Sequence, residues 1–271
     1  MEDGIMRVIH DMWLNMCGGR SNMKAMSLKF KRYFKLSNYL NAALNFFRIV
    51  MSWSFFFLRK PTGLKYFAPW FFSLHPHQSA LRDEQPWIEY EVCEFLESFL
   101  KNDMTVFEWG CGGSTLFIAQ RVKKIISVEH DGRWYERVRQ DLTTKKIDNC
   151  NLILHQQEEN ERGVSDARQY KSSAHEYTGM NFKKYCRTIE MYPDNFFDLV
   201  FIDGRARNAC VCLALKKIKT EGLLILDDSE RSDYQKTLDE VSVSGYLRKD
   251  FFGPVPYITM FAQTTIFQKV S

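Results

Sequence analysis

The chain lacks any Cys-x-x-Cys pair. Its seven cysteines (Cys17, Cys93, Cys111, Cys150, Cys186, Cys210 and Cys212) are odd in number and scattered, which excludes a disulfide frame or a zinc site and predicts reduced thiols in a cytoplasmic protein. Charge of one sign is also scarce. The 37 Lys and Arg against 33 Asp and Glu leave only +4, with the local excess in KFKRYFK and LRKPTGLK, so no nucleic-acid partner is expected. A long apolar run is missing too. The first twenty residues, MEDGIMRVIHDMWLNMCGGR, are broken by acids, and no signal peptide is expected. In NYLNAALNFFRIVMSWSFFFLRK, Arg48 stands near the middle, and the clean run from Ile49 to Leu58 is too short to span a bilayer. Internal repeats and low-complexity tracts are absent as well.

What is present belongs to a folded protein: 45% hydrophobic and 26% charged residues, rich in aromatics with 22 Phe, 12 Tyr and 6 Trp. At 271 residues the chain suits one large domain with an appendage, read here as a helical extension over 1–82 and a main domain over 83–271. In the extension, Asn38, Asn41, Asn45, Arg48 and Ser52 recur at steps of three and four, opposite Leu40, Leu44, Phe47 and Met51. That pattern predicts an amphipathic helix. Packing on its own domain or on a partner subunit is the favoured expectation. The alternative is peripheral contact of residues 38–58 with an anionic membrane, at its inner face, since Lys29, Lys31, Arg32 and Lys35 precede the stripe and Arg59, Lys60 and Lys65 follow it.

From residue 86 helices and strands alternate. PWIEYEVCEFLESFL reads as a helix with Pro at its start, MTVFEW as a strand ending at glycines, STLFIAQRV as a helix, KIISVEHD as a strand, DGRWYERVRQDLTTK as a helix and CNLILHQQ as a third strand. A polar interval over 158–192 is longer than an ordinary connection and predicts a cap over the site. Strand FFDLVFIDG, helix ARNACVCLALKKI and strand GLLILDD follow, and the tail offers two strands around a Gly-Pro turn. The expectation is an α/β, doubly wound, Rossmann-like and mostly parallel seven-stranded sheet with an antiparallel C-terminal pair. Ligands in such sheets bind at the carboxyl ends of the strands, which aligns Glu108 to Ser114, Glu129 to Asp131, Gln156 to Glu158, Asp203 to Arg207 and Asp227 to Ser229 along one rim.

The glycines of VFEWGCGGST fit a dinucleotide fingerprint at Gly110 and Gly112 but not at its third position, Thr115. Glu108 just ahead of them would repel a pyrophosphate, whereas S-adenosylmethionine, with its ammonium and sulfonium, reverses that sign. Glycines at 110, 112 and 113 let backbone approach a nucleoside, and Glu129 at the end of the second strand can accept both ribose hydroxyls. Singly these residues have plainer explanations: Gly112 and Gly113 closing a turn, Glu129 capping the next helix.

Taken in order, E-x-G-x-G-G-S-T, VEHD, FDLVFIDGR and GLLILDDSER, with the closing GP and TTIF segments, resemble the class I S-adenosylmethionine-dependent methyltransferases over about Pro86 to Val270. The likeness looks closest to those of bacterial polysaccharide and secondary-metabolite pathways. The resemblance implies that Glu108, Gly110 and Gly112, with Gly113, Ser114 and Thr115, line the cofactor. It further implies that Glu129 binds ribose with His130 at its side, that Gln157 and Glu158 lie near adenine, and that Asp203 lies near the methionine end. The usual third glycine of that family pattern is Ser114 here.

Methyl transfer asks the protein for alignment and, for a hydroxyl acceptor, for removal of a proton. The sequence after the fourth strand is IDGRAR, not the Asn/Asp-Pro-Pro of amino-directed DNA methyltransferases, so O-methylation of a glycan or small-molecule hydroxyl is the expectation. Asp203 and Asp228 are candidate bases, and His130 is a third. Asp203, Asp227 and Asp228 together also suit a divalent ion such as Mg2+. Arg205 and Arg207 are expected at the pocket mouth, facing a phosphate or uronate, with Tyr177 and His175 of the cap as acceptor contacts. Two rival readings stay open: a nucleotide-dependent, sugar-modifying oxidoreductase, and a non-catalytic membrane-associated cofactor-binding scaffold.

Overall fold

The computed structural model describes residues 28–159 and 170–270, with side chains from residue 41 onward. The first twenty residues, Cys17, Asn38 and Leu40 as side chains, and 160–169 of the expected cap lie outside the described residues. The chain divides into two compact units, one ending at Phe67 and the other beginning at Ala68.

No Gly or Pro interrupts residues 28–59, and the first unit is accordingly one helix, α1 (Leu28–Arg59), followed by a 3-10 turn over Pro61–Tyr66. Serines and Arg48 break the apolar run but not the helix. Asn41 to Arg59 is therefore long and apolar enough by length and composition to cross a membrane, at 19 residues with mean hydropathy 1.2, which corrects the expectation of a stretch too short to do so. Trp53 and Phe56 are buried, packed edge to face with ring centroids 5.8 Å apart, and Phe67 lies edge-on to Trp53. Leu44, Phe47 and Met51, the face expected to be covered, are exposed.

The second unit opens with the short helices α2 (Phe67–Ser73, its first residue belonging to the preceding unit) and α3 (Ala80–Asp83), then α4 (Tyr90–Phe99). The helix α4 starts later than expected. Glu89, not Pro86, caps it, its carboxylate accepting from the amides of Glu91 and Val92. The elements β1 (Thr105–Trp109), α5 (Gly113–Ala119), β2 (Lys124–Glu129), α6 (Gly132–Thr144) and β3 (Cys150–Leu154) follow as read from the sequence. The polar interval holds a two-residue hairpin, β4 (Glu158–Glu159) with β5 (Met180–Asn181), and α7 (Lys183–Arg187). Then come β6 (Phe197–Ile202), α8 (Arg207–Ala214), β7 (Ile218–Leu226), α9 (Ser232–Ser242), β8 (Tyr246–Pro254) and β9 (Phe261–Lys269).

The seven strands lie in the order β3-β2-β1-β6-β7-β9-β8; the first five run parallel, and β9 and β8 are antiparallel additions. The order reverses between β1 and β6, the switch point where such sheets open a crevice. Both faces are covered. Phe107, Ile126, Val200 and Leu224 go to the side of α7, α8 and α9, while Val106, Ile125, Leu199, Phe201 and Ile225 go to the side of α4 and α5. Gly253 and Pro254 belong to β8 and not to the turn expected there. As β8 is an edge strand, a proline at its end forfeits no ladder bond.

Candidate cofactor and catalytic site

Alternation along β1 sends Glu108 to the face that α5 covers, directly opposite Ser127 of β2. There it is fully buried and accepts from Ser114 Oγ at 2.5 Å, Thr115 Oγ1 at 2.6 Å and Ser127 Oγ at 2.5 Å. Burial pushes its carboxyl up to about 7, against the pull of those three hydroxyls. Glu108 therefore holds the loop and faces no ligand, which corrects its assignment to the cofactor lining. The same holds for the side chains of Ser114 and Thr115, whose hydroxyls turn inward. Thr115 Oγ1 also accepts the Gly112 N–H at 2.9 Å, so the residue that breaks the dinucleotide fingerprint reaches back from the third position of α5 to its N-cap, Gly112. Ser127, a partner in this knot, carried no signal in the sequence beyond being a polar residue in an apolar strand.

Gly110 has φ +95, and a Cβ there would lie 2.9 Å from the Asp203 carbonyl and the Gly204 nitrogen. The β1–β6 approach thus requires glycine. Gly113 meets the carbonyl oxygens of Ala80 and Gln85, so α3 and the chain after it lie against the loop. Gly112 is different: its backbone is extended, and a Cβ would touch only Trp134 at 3.8 Å. Gly112 is buried, yet a side chain as small as alanine fits there without a clash.

Glu129, buried at the tip of β2, accepts from Cys111 N at 3.0 Å through Oε2, and from His130 N and Asp131 N at 2.8 Å through Oε1. Burial would raise its carboxyl, but His130 and the amides outweigh it and hold the group low. It does not cap α6, because Asp131 does so, accepting from Arg133 N and Trp134 N. Its Oε2, bonded to one amide, keeps acceptor capacity for a hydroxyl. His130 lies with Nδ1 2.8 Å from Glu129 Oε1 and Nε2 2.9 Å from Tyr177 Oη. Arg205 stacks over the Tyr177 ring at 5.4 Å, and its buried Nε finds no partner among the described residues. The structure thus joins His130, Tyr177 and Arg205, three separated candidates, in one cluster. His175 begins the 3-10 turn that carries Tyr177. Gln157 keeps a buried, unpartnered Oε1, whereas Glu158 is exposed and pairs with Lys184 at 2.5 Å.

Arg207 is 5% exposed and does not reach a pocket mouth, which corrects its assignment to substrate. Its guanidinium lies 2.9 Å from Asp203 Oδ1, 3.3 Å from Asp228 Oδ2 and 3.9 Å from Asp227 Oδ2, and it also donates to the Gly204 and Asp227 carbonyls. One cation already sits among the three acids, so the set does not fit a divalent ion, and no group suited to hold a metal occurs among the described residues. Asp227, buried and accepting from Thr264 Oγ1 at 2.8 Å, is pushed well up by burial and by Asp203 and Asp228. Asp203 is raised to about 6, by burial first, with Arg207 opposing and Asp228 adding. Asp228 sits at φ +51, held between Arg207 and Arg231. Asp203 thus has a proton affinity suited to taking a proton near neutrality.

Beside the loop lies a cavity of about 220 Å³ walled by Phe72, Gln78, Asp83, Gln85, Tyr90 and Tyr257, which sequence reading missed because its walls come from segments far apart in the chain. Two bonds fix it: Trp70 Nε1 to the Ile258 carbonyl at 2.9 Å, and the Tyr257 amide to Ser73 Oγ at 2.9 Å. Burial raises Tyr90 to about 12. The thiol of Cys93, also in the wall, is raised by burial and then by nearby acids that include Asp227.

No protein-family profile matches the sequence, and no curated protein is significantly similar to it. Solved structures do resemble it. An rRNA methylase from Streptococcus thermophilus is 14% identical over 69% of this chain and 100% of its own, with a TM-score of 0.47. A SAM-dependent O-methyltransferase from Thermotoga maritima is 13% identical over 71% and 72%, with 0.46. A precorrin-6y C5,15-methyltransferase from Geobacter metallireducens is 16% identical over 65% and 85%, with 0.43. At these values the likeness carries no argument about the chemistry of this chain. It does withdraw one expectation: with an rRNA methylase among the similar structures, the exclusion of nucleic acid does not stand.

Two outcomes follow for this site. The folded pKa of Glu108 lies above its ordinary 4.5, so its contribution to stability is complete below about 4.5 and is lost as pH rises through about 7. Across that window the protein should lose about 3 kcal/mol, and Glu108→Gln should flatten the dependence in urea unfolding at stepped pH. Gly110→Ala should cost about 2 kcal/mol or more, while Gly112→Ala should change unfolding free energy by less than about 0.5 kcal/mol and act only on ligand binding.

Proposed function

We propose that this chain is an S-adenosylmethionine-dependent methyltransferase acting on a hydroxyl of a ring-sized small molecule or glycan unit. The observation that carries the reading is the state of the loop amides. Cys111 N–H goes to Glu129 and Gly112 N–H goes to Thr115, so two loop donors that a pyrophosphate would use are spent internally, and the Glu129 carboxylate stands beside them. A carboxylate at that place favours the hydroxyls of a ribose over a phosphate. This argument replaces the repulsion first assigned to Glu108.

The residues present fit the cofactor. Gly112 puts no side chain between its backbone and a ligand, Glu129 Oε2 accepts a ribose hydroxyl, and Gln157 Oε1 is a buried acceptor awaiting a donor. When bound, S-adenosylmethionine supplies an electrophilic methyl on a sulfonium that leaves as a neutral thioether. Asp203 takes the acceptor's hydroxyl proton, and Arg207 keeps that carboxylate in place.

Titration calorimetry with S-adenosylhomocysteine and with NAD tests the cofactor. Binding of the former alone is expected, and binding of NAD alone overturns the reading. With an acceptor found among hydroxylated ring compounds, kcat/KM should fall below about pH 6, where Asp203 gains its proton. Asp203→Asn should lose about 10²-fold or more in rate while erasing that limb. An unchanged profile removes Asp203 as the base.

A further inference from the structure

Three faces divide helix α1 from residue 41 onward. Asn41, Asn45, Arg48 and Ser52 form a narrow polar line. Trp53 and Phe56 are buried against Phe57 and Phe67. The third face is apolar and bare: Leu44, Phe47, Val50, Met51, Phe55 and Leu58 follow one another at helical spacing, with Phe47 60% and Leu58 84% exposed. A soluble monomer rarely leaves such a continuous stripe in water.

Charge identifies what covers it. Residues 12–82 contain eleven Lys and Arg and not one Asp or Glu, although the whole chain is nearly balanced at +4. The bases cluster at both ends of the apolar stretch, Lys29, Lys31, Arg32 and Lys35 before it and Arg59, Lys60 and Lys65 after it. A second copy of the same surface would bring like charges together at both ends, in either orientation. An anionic sheet that is apolar just beneath its surface satisfies both features at once.

We infer that α1 lies in the interface of a membrane containing anionic lipid, its Leu44–Phe47–Met51–Leu58 stripe among the acyl chains and its flanking bases among the headgroup phosphates. Lying flat is preferred to spanning. A span over Asn41–Arg59 would put Arg48 near mid-bilayer and bury the polar line in hydrocarbon, whereas in the interface that line faces water. This inference is independent of the methyl-transfer reading.

The test is flotation of the full-length protein with vesicles of phosphatidylcholine, with and without phosphatidylglycerol. Co-flotation is expected with the anionic vesicles, weakened on the order of tenfold or more when phosphatidylglycerol is left out or salt is raised. The double variant Phe47→Glu, Met51→Glu, whose sites are exposed and whose thermal unfolding should match the parent, is expected to stay at the bottom. A Phe47→Trp variant should shift its emission to the blue on anionic vesicles only. No flotation with either vesicle, or flotation that survives the double variant, overturns the proposal. Retention on vesicles after alkaline carbonate extraction overturns the flat orientation in favour of a span.

Discussion

Four acids stand at the tips of neighbouring parallel strands, buried Glu108 on β1, Glu129 on β2 and Asp227 just past β7, with half-buried Asp203 just past β6, and the second unit is arranged around compensating them. Each is handled by different means. Glu108 is surrounded by hydroxyls, Glu129 by backbone amides and His130, and the two aspartates, with Asp228, by the guanidinium of Arg207. Because these partners come from the first turns of α5 and α8 and from the residues just ahead of α6, compensating the charge also fixes where those helices begin. Buried charge of this kind is costly to leave half-paired, so the rim holds one arrangement.

Much of this was legible in the sequence. Period-two apolar runs alternating with helical ones determine a doubly wound sheet, and the apolar character of FDLVFI and GLLIL on both faces puts them at its centre. The strand tips could be named for the same reason. What could not be read was the direction in which each tip residue points. Glu108 turns under α5 because alternation and the three hydroxyls decide it, and Arg207 turns in toward Asp203 because α8 begins there after a left-handed Ala206. Arg205, two residues earlier, goes to the opposite side and meets Tyr177. The cavity walled by Phe72, Tyr90 and Tyr257 was invisible for a different reason, since its walls meet only through bonds such as Trp70 to Ile258 that span 188 residues of chain.

The aromatic extension shows the limit of pattern reading in the other direction. An apolar stripe ordinarily reports a core, and among the described side chains of α1, from residue 41 onward, only Trp53 and Phe56 are buried. The remaining stripe was correctly located, but its solvent was not written in its periodicity. The inference of a membrane surface rests on the one-sided charge around the stripe, eleven bases without an acid over residues 12–82.

The hairpin of β4 and β5 sits in the connection between β3 and β6, outside the hydrogen-bonded ladder of the main sheet. Chain-closure entropy grows only with the logarithm of length, so the stretch between β4 and β5 can change length at little cost in closure entropy, whereas Phe182, Tyr185 and Ile189 after it are fixed in the core. Yet it carries Tyr177 to His130 and Arg205 at the rim. Diversification is thereby partly uncoupled from folding: descendants of this chain can change what they recognise by altering the stretch between β4 and β5, while α7 and the strands that build the site stay under an unchanged selective demand.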